Sequence, residues 1–436
     1  MTSKFTLCLL AVTGMAVPCP AAIIGTNPPA LPLTAERIAT LPAEQQGAWK
    51  KYLEHSQRQG QADRTAFFRE LKKYGVKDSL LPPGNGSARS IPLRKDPDWY
   101  SGPEGLRIAD IIVSFQTPAG GWSKNLDMSQ HKRGPGEHYA TSGHRLHLDA
   151  SDNDMPRDLS WSYVGTFDND ATSTELRFLA KVIAATGKGQ DAPYRKAFLR
   201  GIDYVLAAQY PNGGWPQVWP LEGGYHDAIT YNDDAMLNLF EFLSEVAEGS
   251  HEFAFVAPKT RALASASVQR GIQCILATQI AVDGRRTAWC QQHDPLTLHP
   301  TSARNYEMPS QSGGESAKVL IFLMRLGKPS GEIVSAIHSA AAWFEKTQLH
   351  DVVFKAAGDG GRELVPSPGA APLWARYYEI GTDRPIFGDR DKTIHDDVRE
   401  LSKERRNGYS WFSARPQRAL DEYAGWRAKF QSDHSH

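Results

Sequence analysis

From about Tyr100 onward the chain repeats itself, and that repeat leaves few folds open. Arg107-Ile-Ala-Asp-Ile-Ile-Val-Ser-Phe-Gln116 is followed by Thr-Pro-Ala-Gly-Gly-Trp122, Arg200-Gly-Ile-Asp-Tyr-Val-Leu-Ala-Ala-Gln209 by Tyr-Pro-Asn-Gly-Gly-Trp215, and Arg270-Gly-Ile-Gln-Cys-Ile-Leu-Ala-Thr-Gln279 by an Asp-Gly turn and Trp289. The helices between these units correspond as well. Asp168-Asn-Asp-Ala171 opens one with Leu176, Leu179, Ala180 and Ile183 on its apolar side, and Asn232-Asp-Asp-Ala235 opens a second with Leu237, Phe240, Leu243 and Val246. Ser312-Gly-Gly-Glu-Ser-Ala317 opens a third with Val319, Leu320, Leu323 and Leu326. Apolar spacings of three and four residues mark amphipathic helices. Hairpins of one design bury those faces best around a common axis. The pattern therefore predicts an all-α fold, an α/α barrel of three helical hairpins, with the acidic helix starts and the tryptophan turns at one rim. Ala336 to Lys346 supplies a further helix that completes the third hairpin.

The flanks are read from composition. Lys4, the apolar run Phe5 to Val17 and the small residues Pro20-Ala-Ala22 form an export signal over residues 1–22. That run is too short to span a bilayer, so a mature protein outside the cytoplasm, secreted or periplasmic, is expected. Cys8 and Cys19 leave with the signal; for Cys274 and Cys290 a disulfide and two buried thiols both remain open. Residues 23–95 read as a helical section and linker. Thr34 is its first N-cap, Ile38, Leu41, Trp49, Tyr52, Leu53, Phe67, Phe68 and Leu71 are its apolar positions, and a Pro/Gly/Ser-rich stretch from Leu81 to Pro97 closes it. The barrel then occupies 96–436. The insert between Gln130 and Ser160 reads as a rim loop whose His131, His138, His144 and His147 lack metal spacing and belong to a solvated surface. With 49 basic and 49 acidic residues the chain has no excess charge for nucleic acid or an anionic membrane. A monomer is expected.

Two acidic turns are the first chemical signal. Asp168 and Asp233 read as equivalent residues, each just ahead of a helix, and an Asp there is an ordinary N-cap. A cap accounts for one carboxylate per helix but not for Asp170 beside Asp168 or Asp234 beside Asp233; several carboxylates from separate loops suit a Ca²⁺ cage. Both readings stay open on the residues alone. Arg304, Arg376 and Arg390 lie in polar or aromatic connections, where an arginine is often stacked or paired for structure. With Lys124 they would also suit the carboxylates of an acidic sugar chain. Trp122, Trp215 and Trp289 are either sugar platforms or core residues.

Gly120-Gly-Trp-Ser-Lys-Asn125, Thr166-Phe-Asp-Asn-Asp-Ala-Thr-Ser-Thr-Glu175, Gly213-Gly-Trp-Pro-Gln217, Ile229-Thr-Tyr-Asn-Asp233, Trp289-Cys-Gln-Gln-His-Asp294, Ala303-Arg-Asn-Tyr-Glu307 and Trp374-Ala-Arg-Tyr-Tyr-Glu379 occur in this order. Over these motifs the chain resembles the pectate lyases of polysaccharide lyase family 10. The resemblance implies an α/α barrel that cleaves polygalacturonate, the backbone of pectin, with Ca²⁺. It implies that Arg304 removes the C5 proton, that Asp233 binds calcium, and that Asp168 is a second active-site aspartate in the cation region. It also implies that Arg376 and Arg390 grip substrate carboxylates, with Arg384 a rival to Arg390 in the same loop; Lys124 and Trp122 are further candidate substrate-binding residues. Ser123 stands where the family commonly has Pro.

The expected reaction is an anti β-elimination giving a 4,5-unsaturated oligogalacturonide. The C5 hydrogen is hardly acidic until cation and guanidinium neutralise the neighbouring carboxylate and stabilise the enolate-like charge. An arginine base requires that desolvation and nearby like charges disfavour its protonated form, so an alkaline preference is expected. Two rivals make different demands. A glycoside hydrolase of an acidic polysaccharide would use Asp168 and Asp233 as acid and base, and a non-catalytic polysaccharide-binding protein would not need Arg304. His293-Asp294 has no accompanying serine motif to make a triad.

Overall fold

A computed structural model describes residues 23–84, 90–141, 149–187 and 191–433. The expected export signal with Cys8 and Cys19, and His144 and His147 of the rim insert, lie outside the described residues. The helices in chain order are α1 (Ala35–Ile38), α2 (Ala43–Tyr74), α3 (Pro103–Ser114), α4 (Ser173–Ala185), α5 (Ala192–Ala208), α6 (Ala235–Glu248), α7 (Pro258–Thr278), α8 (Gly313–Met324), α9 (Gly331–Lys346), α10 (Lys403–Gly408) and α11 (Arg415–Asp433).

The Gln and Trp of each repeat lock the units together. Gln116 Nε2 donates to the Ala197 carbonyl on α5, Gln209 Nε2 to Ser267 on α7, and Gln279 Nε2 to Ala336 on α9, at 2.8, 2.9 and 3.1 Å. Each indole N–H turns back to its own unit, from Trp122 to the Ile112 carbonyl, Trp215 to Val205 and Trp289 to Ile275, at 2.7, 2.9 and 2.7 Å. The glycines between are demanded by the close approach of the next helix. Gly120 and Gly213 have positive φ, and a Cβ on either would collide with the carbonyl oxygen of Arg200 or Arg270.

Helices α4, α6 and α8 are buried on almost every side, as Leu176, Phe178, Leu179, Ala180, Val182 and Ile183 of α4 illustrate. Helices α3, α5, α7 and α9 bury one face over them, which makes the α/α toroid expected from the repeat. The structure adds a fourth, divergent unit. Trp374 Nε1 donates to the Phe344 carbonyl of α9 at 2.9 Å, repeating the indole contact of the other units, and α11 packs on α8 and α9. The helix that includes Ala336 to Lys346 thus begins a unit of its own.

Between α9 and α11 lies a β-containing section that the helical periodicity does not reveal. It holds the hairpin of Val352–Ala356 and Arg362–Pro366 and a small separate core of Tyr377, Ile386, Phe387, Val398, Leu401 and Trp411, which Met308 joins from the loop before α8. The N-terminal strand Ile23–Thr26 pairs antiparallel with Thr393–His395, which pairs with Phe387–Gly388. Trp49, Tyr52 and Leu53 of α2 join the barrel core, and the Tyr52 hydroxyl donates to the Ala208 carbonyl at 2.8 Å. Phe68, expected on that apolar side, is exposed. Cys274 and Cys290 are buried free thiols. His138 is buried, its ring nitrogens at 3.1 and 3.0 Å from the Ala140 and Ser160 carbonyls, so it does not belong to a solvated surface. No described helix is long and apolar enough to cross a membrane.

Candidate active site

The two acidic turns are not helix caps. Asn169, Asp170, Asp233 and Asp234 all have positive φ, and no side chain caps α4 or α6. Left-handed backbone at a run of residues with side chains is costly and concentrates at functional sites. The turns also correct the expected register. Ala171 N–H returns to the Asp168 carbonyl and Ala235 N–H to the Asn232 carbonyl, so Asp168 matches Asn232, and Asp233 matches Asn169. The neighbouring contacts agree, since Asp170 accepts from Asn238 and Asp234 from Lys318, the next unit's helix in each case. Asp168 and Asp233 come together from non-equivalent positions.

Asp168 is buried, whereas Asp233 is open to solvent in the cavity wall but closely surrounded by protein that desolvates its carboxyl. Burial opposes the Asp168 charge, but the ion pair with Lys124 overrides it and holds the carboxyl below its ordinary range; Arg304 adds to this. Asp233 is pushed up to about 6 by that desolvation and then by the Asp168 charge, with Arg376 and Arg304 working the other way. Arg304, Arg376 and the two carboxylates therefore share one electrostatic neighbourhood.

Arg304 sits in the turn Ala303–Glu307, closed by Glu307 N–H to the Arg304 carbonyl at 2.9 Å. Its guanidinium is gripped by Glu307 at both ends, Nε to Oε2 at 3.0 Å and Nη2 to Oε1 at 2.7 Å. A chain of hydrogen bonds links it to the second arginine. The Tyr409 hydroxyl donates to Glu307 Oε1 at 2.6 Å and lies 2.7 Å from that of Tyr377. Tyr377 donates to Gln291 Oε1 at 2.5 Å, which also accepts from Arg376 Nη2 at 3.3 Å. Arg376 further reaches Glu315 at 3.1 Å and Asn232 at 3.2 Å. A cavity of about 530 Å³ opens here, with Asp233, Glu315, Lys318, Arg376 and Arg415 in its wall.

Three guanidiniums gather on Tyr306, those of Arg304, Arg390 and Arg405 at 5.4, 5.6 and 4.4 Å from the ring centre. Arg390 is paired with Glu404 and half exposed. Its rival Arg384 is instead bound to Glu379 and Asp396. Lys124 is occupied by Asp168 and lies 3.7 Å from the centre of the Tyr163 ring. Trp122 is fully buried, as are Trp215 and Trp289, so Trp122 is a core residue and no substrate contact. Glu307, Tyr409, Tyr377 and Arg405 were not legible as site residues; only the crowding of Tyr and Arg in their motifs hinted at them.

The carboxylates suit a hard cation. Asp168 Oδ1 is buried with no hydrogen-bond partner, and the donor set is oxygen. Among the described residues no three His, Cys, Asp or Glu side chains cluster in a way that would hold an ion by themselves. Two carboxylates offer at most four oxygens against the six to eight that Ca²⁺ takes, so substrate or water would have to complete the shell.

A family profile described as pectic acid lyase matches residues 116–420. Two solved structures share the fold with a TM-score of 0.62. One is an aspartate-to-alanine mutant of a family 10 polysaccharide lyase from Cellvibrio cellulosa in complex with trigalacturonic acid, 30% identical over 78% of this chain and 98% of that one. The other is family 10 polysaccharide lyase from the same organism, 31% identical over 79% of this chain and 100% of its own. No curated protein sequence matches.

Proposed function

Since the chain belongs to the pectic acid lyase family and is a polysaccharide lyase, we propose that it cleaves polygalacturonate by calcium-assisted β-elimination with Arg304 as the base. The supporting observation is that Asp168, Arg304 and Arg376, from three separate segments, all act on the charge of Asp233, which lines a cavity together with Arg376. Trigalacturonic acid in a structural neighbour supports an oligogalacturonate as the ligand.

Asp233 and Asp168 would hold the ion. When bound, Ca²⁺ supplies positive charge that neutralises the uronate carboxylate and so acidifies the hydrogen on C5. Arg376, fixed by Glu315, Gln291 and Asn232, presents a pre-oriented guanidinium to a carboxylate. Arg390 offers a second at the open edge beside Tyr306. Arg304 in its neutral form takes the C5 proton at a guanidine nitrogen. The C5–H electrons form the C4–C5 double bond, the C4–O bond breaks, and the departing oxygen takes a proton from water.

In the free protein Arg304 is not neutral. Burial pulls its pKa down, but the Glu307 carboxylate more than offsets that and leaves it raised. The base form therefore depends on the bound state, in which substrate excludes water and added positive charge opposes Glu307. The signal of residues 1–22 supports export. Incubation with polygalacturonate, with and without chelator, tests the reading: ultraviolet absorbance should rise only when calcium is present. Saturated reducing products that form with chelator present would overturn it.

A further inference from the structure

The N-terminal strap lies outside the segment matched by the pectic acid lyase profile, yet it reaches the Arg304 turn. Once Ile23–Thr26 has paired with Thr393–His395, the Asn27 N–H donates to the Lys392 carbonyl at 2.8 Å. This sets the Asn27 side chain, 1% exposed, against the turn. Its Nδ2 lies 2.9 Å from the Arg304 carbonyl oxygen, 2.9 Å from that of Asn305 and 3.1 Å from that of Glu307. A primary amide has two hydrogens, so the three carbonyls share them. No hydroxyl, with its single donor, could serve all three.

The strap is anchored further along as well. Leu33 N–H donates to Asp227 Oδ2 at 3.3 Å, Thr34 caps α1, and Arg37 pairs with Asp294 at 2.5 Å. From its other side the turn is held through Asn305, which accepts from Asn153 N–H at 2.8 Å and donates to Asp152 and to the Arg390 carbonyl, both at 2.7 Å. Asn27 thus supplies a second clamp on the turn, beside that of the rim insert. Without it the Asn305 carbonyl loses its donor and those of Arg304 and Glu307 keep only the turn's own bonds from the Glu307 and Ala303 N–H groups, and a buried acceptor left unpaired drives a rearrangement. The backbone that would shift is the one that carries Arg304.

We propose that Asn27 is a positioning residue for the elimination: the strap aims the Arg304 guanidinium by fixing the carbonyls of its turn. This inference rests on Arg304 being the base. A displacement of about 1 Å at a reacting group can cost on the order of 100-fold in rate.

The full-length protein tests it with steady-state kinetics on polygalacturonate. Asn27→Ala and the isosteric Asn27→Asp, which has no donor when ionised and one at most when protonated, should lower kcat by about 10- to 100-fold, with KM within about twofold of wild type. Asn27→Ser, which keeps one donor and is the milder change if Asn27→Ala does not fold, should fall between. In an Arg304→Lys background, Asn27→Ala should have little further effect, since its route to the substrate is already altered. Wild-type kcat in Asn27→Ala and Asn27→Asp, or a full additional loss on top of Arg304→Lys, would overturn the proposal. Wild-type kcat in Arg304→Lys would instead defeat the assignment of the base, which separates the two failures.

Discussion

Glu307 holds both ends of the Arg304 guanidinium, at 3.0 and 2.7 Å. The pair is unequal in exposure, Glu307 being buried and the Arg304 side chain a third exposed. Burial opposes the Glu307 charge, yet Arg304 overrides it and brings the carboxyl down to about 2, while Glu307 raises the arginine. In the proposed reaction Glu307 would therefore aim the base and also hold its proton.

Replacing that carboxylate separates the two effects. Activity that depends on neutral Arg304 rises with pH through the arginine's pKa. Glu307→Gln removes the negative charge, lowers that pKa, and should move the rising limb of the kcat profile to lower pH. The plateau should fall because one arm of the grip is lost. An unmoved limb would show that Arg304 does not titrate in the reaction.

Asp233 should be a stability liability that calcium uses. Its carboxyl is raised to about 6 by the desolvation of the surrounding protein first and then by the Asp168 charge. Asp233→Asn should raise the Tm measured in chelator, because a charge repelled by Asp168 is removed, while abolishing the calcium response of the rate. In wild type, calcium at about 100 times its Kd should add about 2.7 kcal/mol of stability by linkage. A calcium-induced Tm shift that persists in Asp233→Asn would contradict the assignment.

Trp122 tests core against contact. Its ring is fully buried and its N–H is tied to the Ile112 carbonyl at 2.7 Å. Trp122→Phe loses that bond and leaves space, which should cost about 2 kcal/mol in denaturant unfolding. KM for polygalacturonate should be unchanged; a large rise in KM at wild-type stability would restore Trp122 as a substrate contact.

Glu175 predicts how the fold responds to alkali. Burial pushes its carboxyl up from 4.5 to about 8, and Oε2 has no hydrogen-bond partner. Between those values the unfolded chain has released the proton and the folded chain keeps it. The folded state then binds more protons, so stability is full at low pH and is lost as pH rises toward 8. Glu175→Gln should flatten the fall of Tm across that window, and an unaltered slope would assign the fall to other groups.

The barrel was legible because the same Gln, Gly and Trp recur at the same places in each hairpin, where one contact has one solution. The fourth unit was hidden because a β hairpin and a small second core separate α9 from Trp374 and α11. The acidic pair is visible in the sequence but its register is not, by one residue: Asp-Asn-Asp-Ala and Asn-Asp-Asp-Ala look alike as text, and only the left-handed φ values show which carboxylates correspond. Asn27 was invisible, since its partners lie more than 270 positions away and nothing near it in the chain looks chemical.

The most direct test is Arg304→Ala, assayed for binding of trigalacturonate and for release of unsaturated product with calcium present. Binding should survive, and kcat should fall by about 100- to 10,000-fold, the usual worth of a general base. Unsaturated product formed at the wild-type rate would contradict the account at its centre.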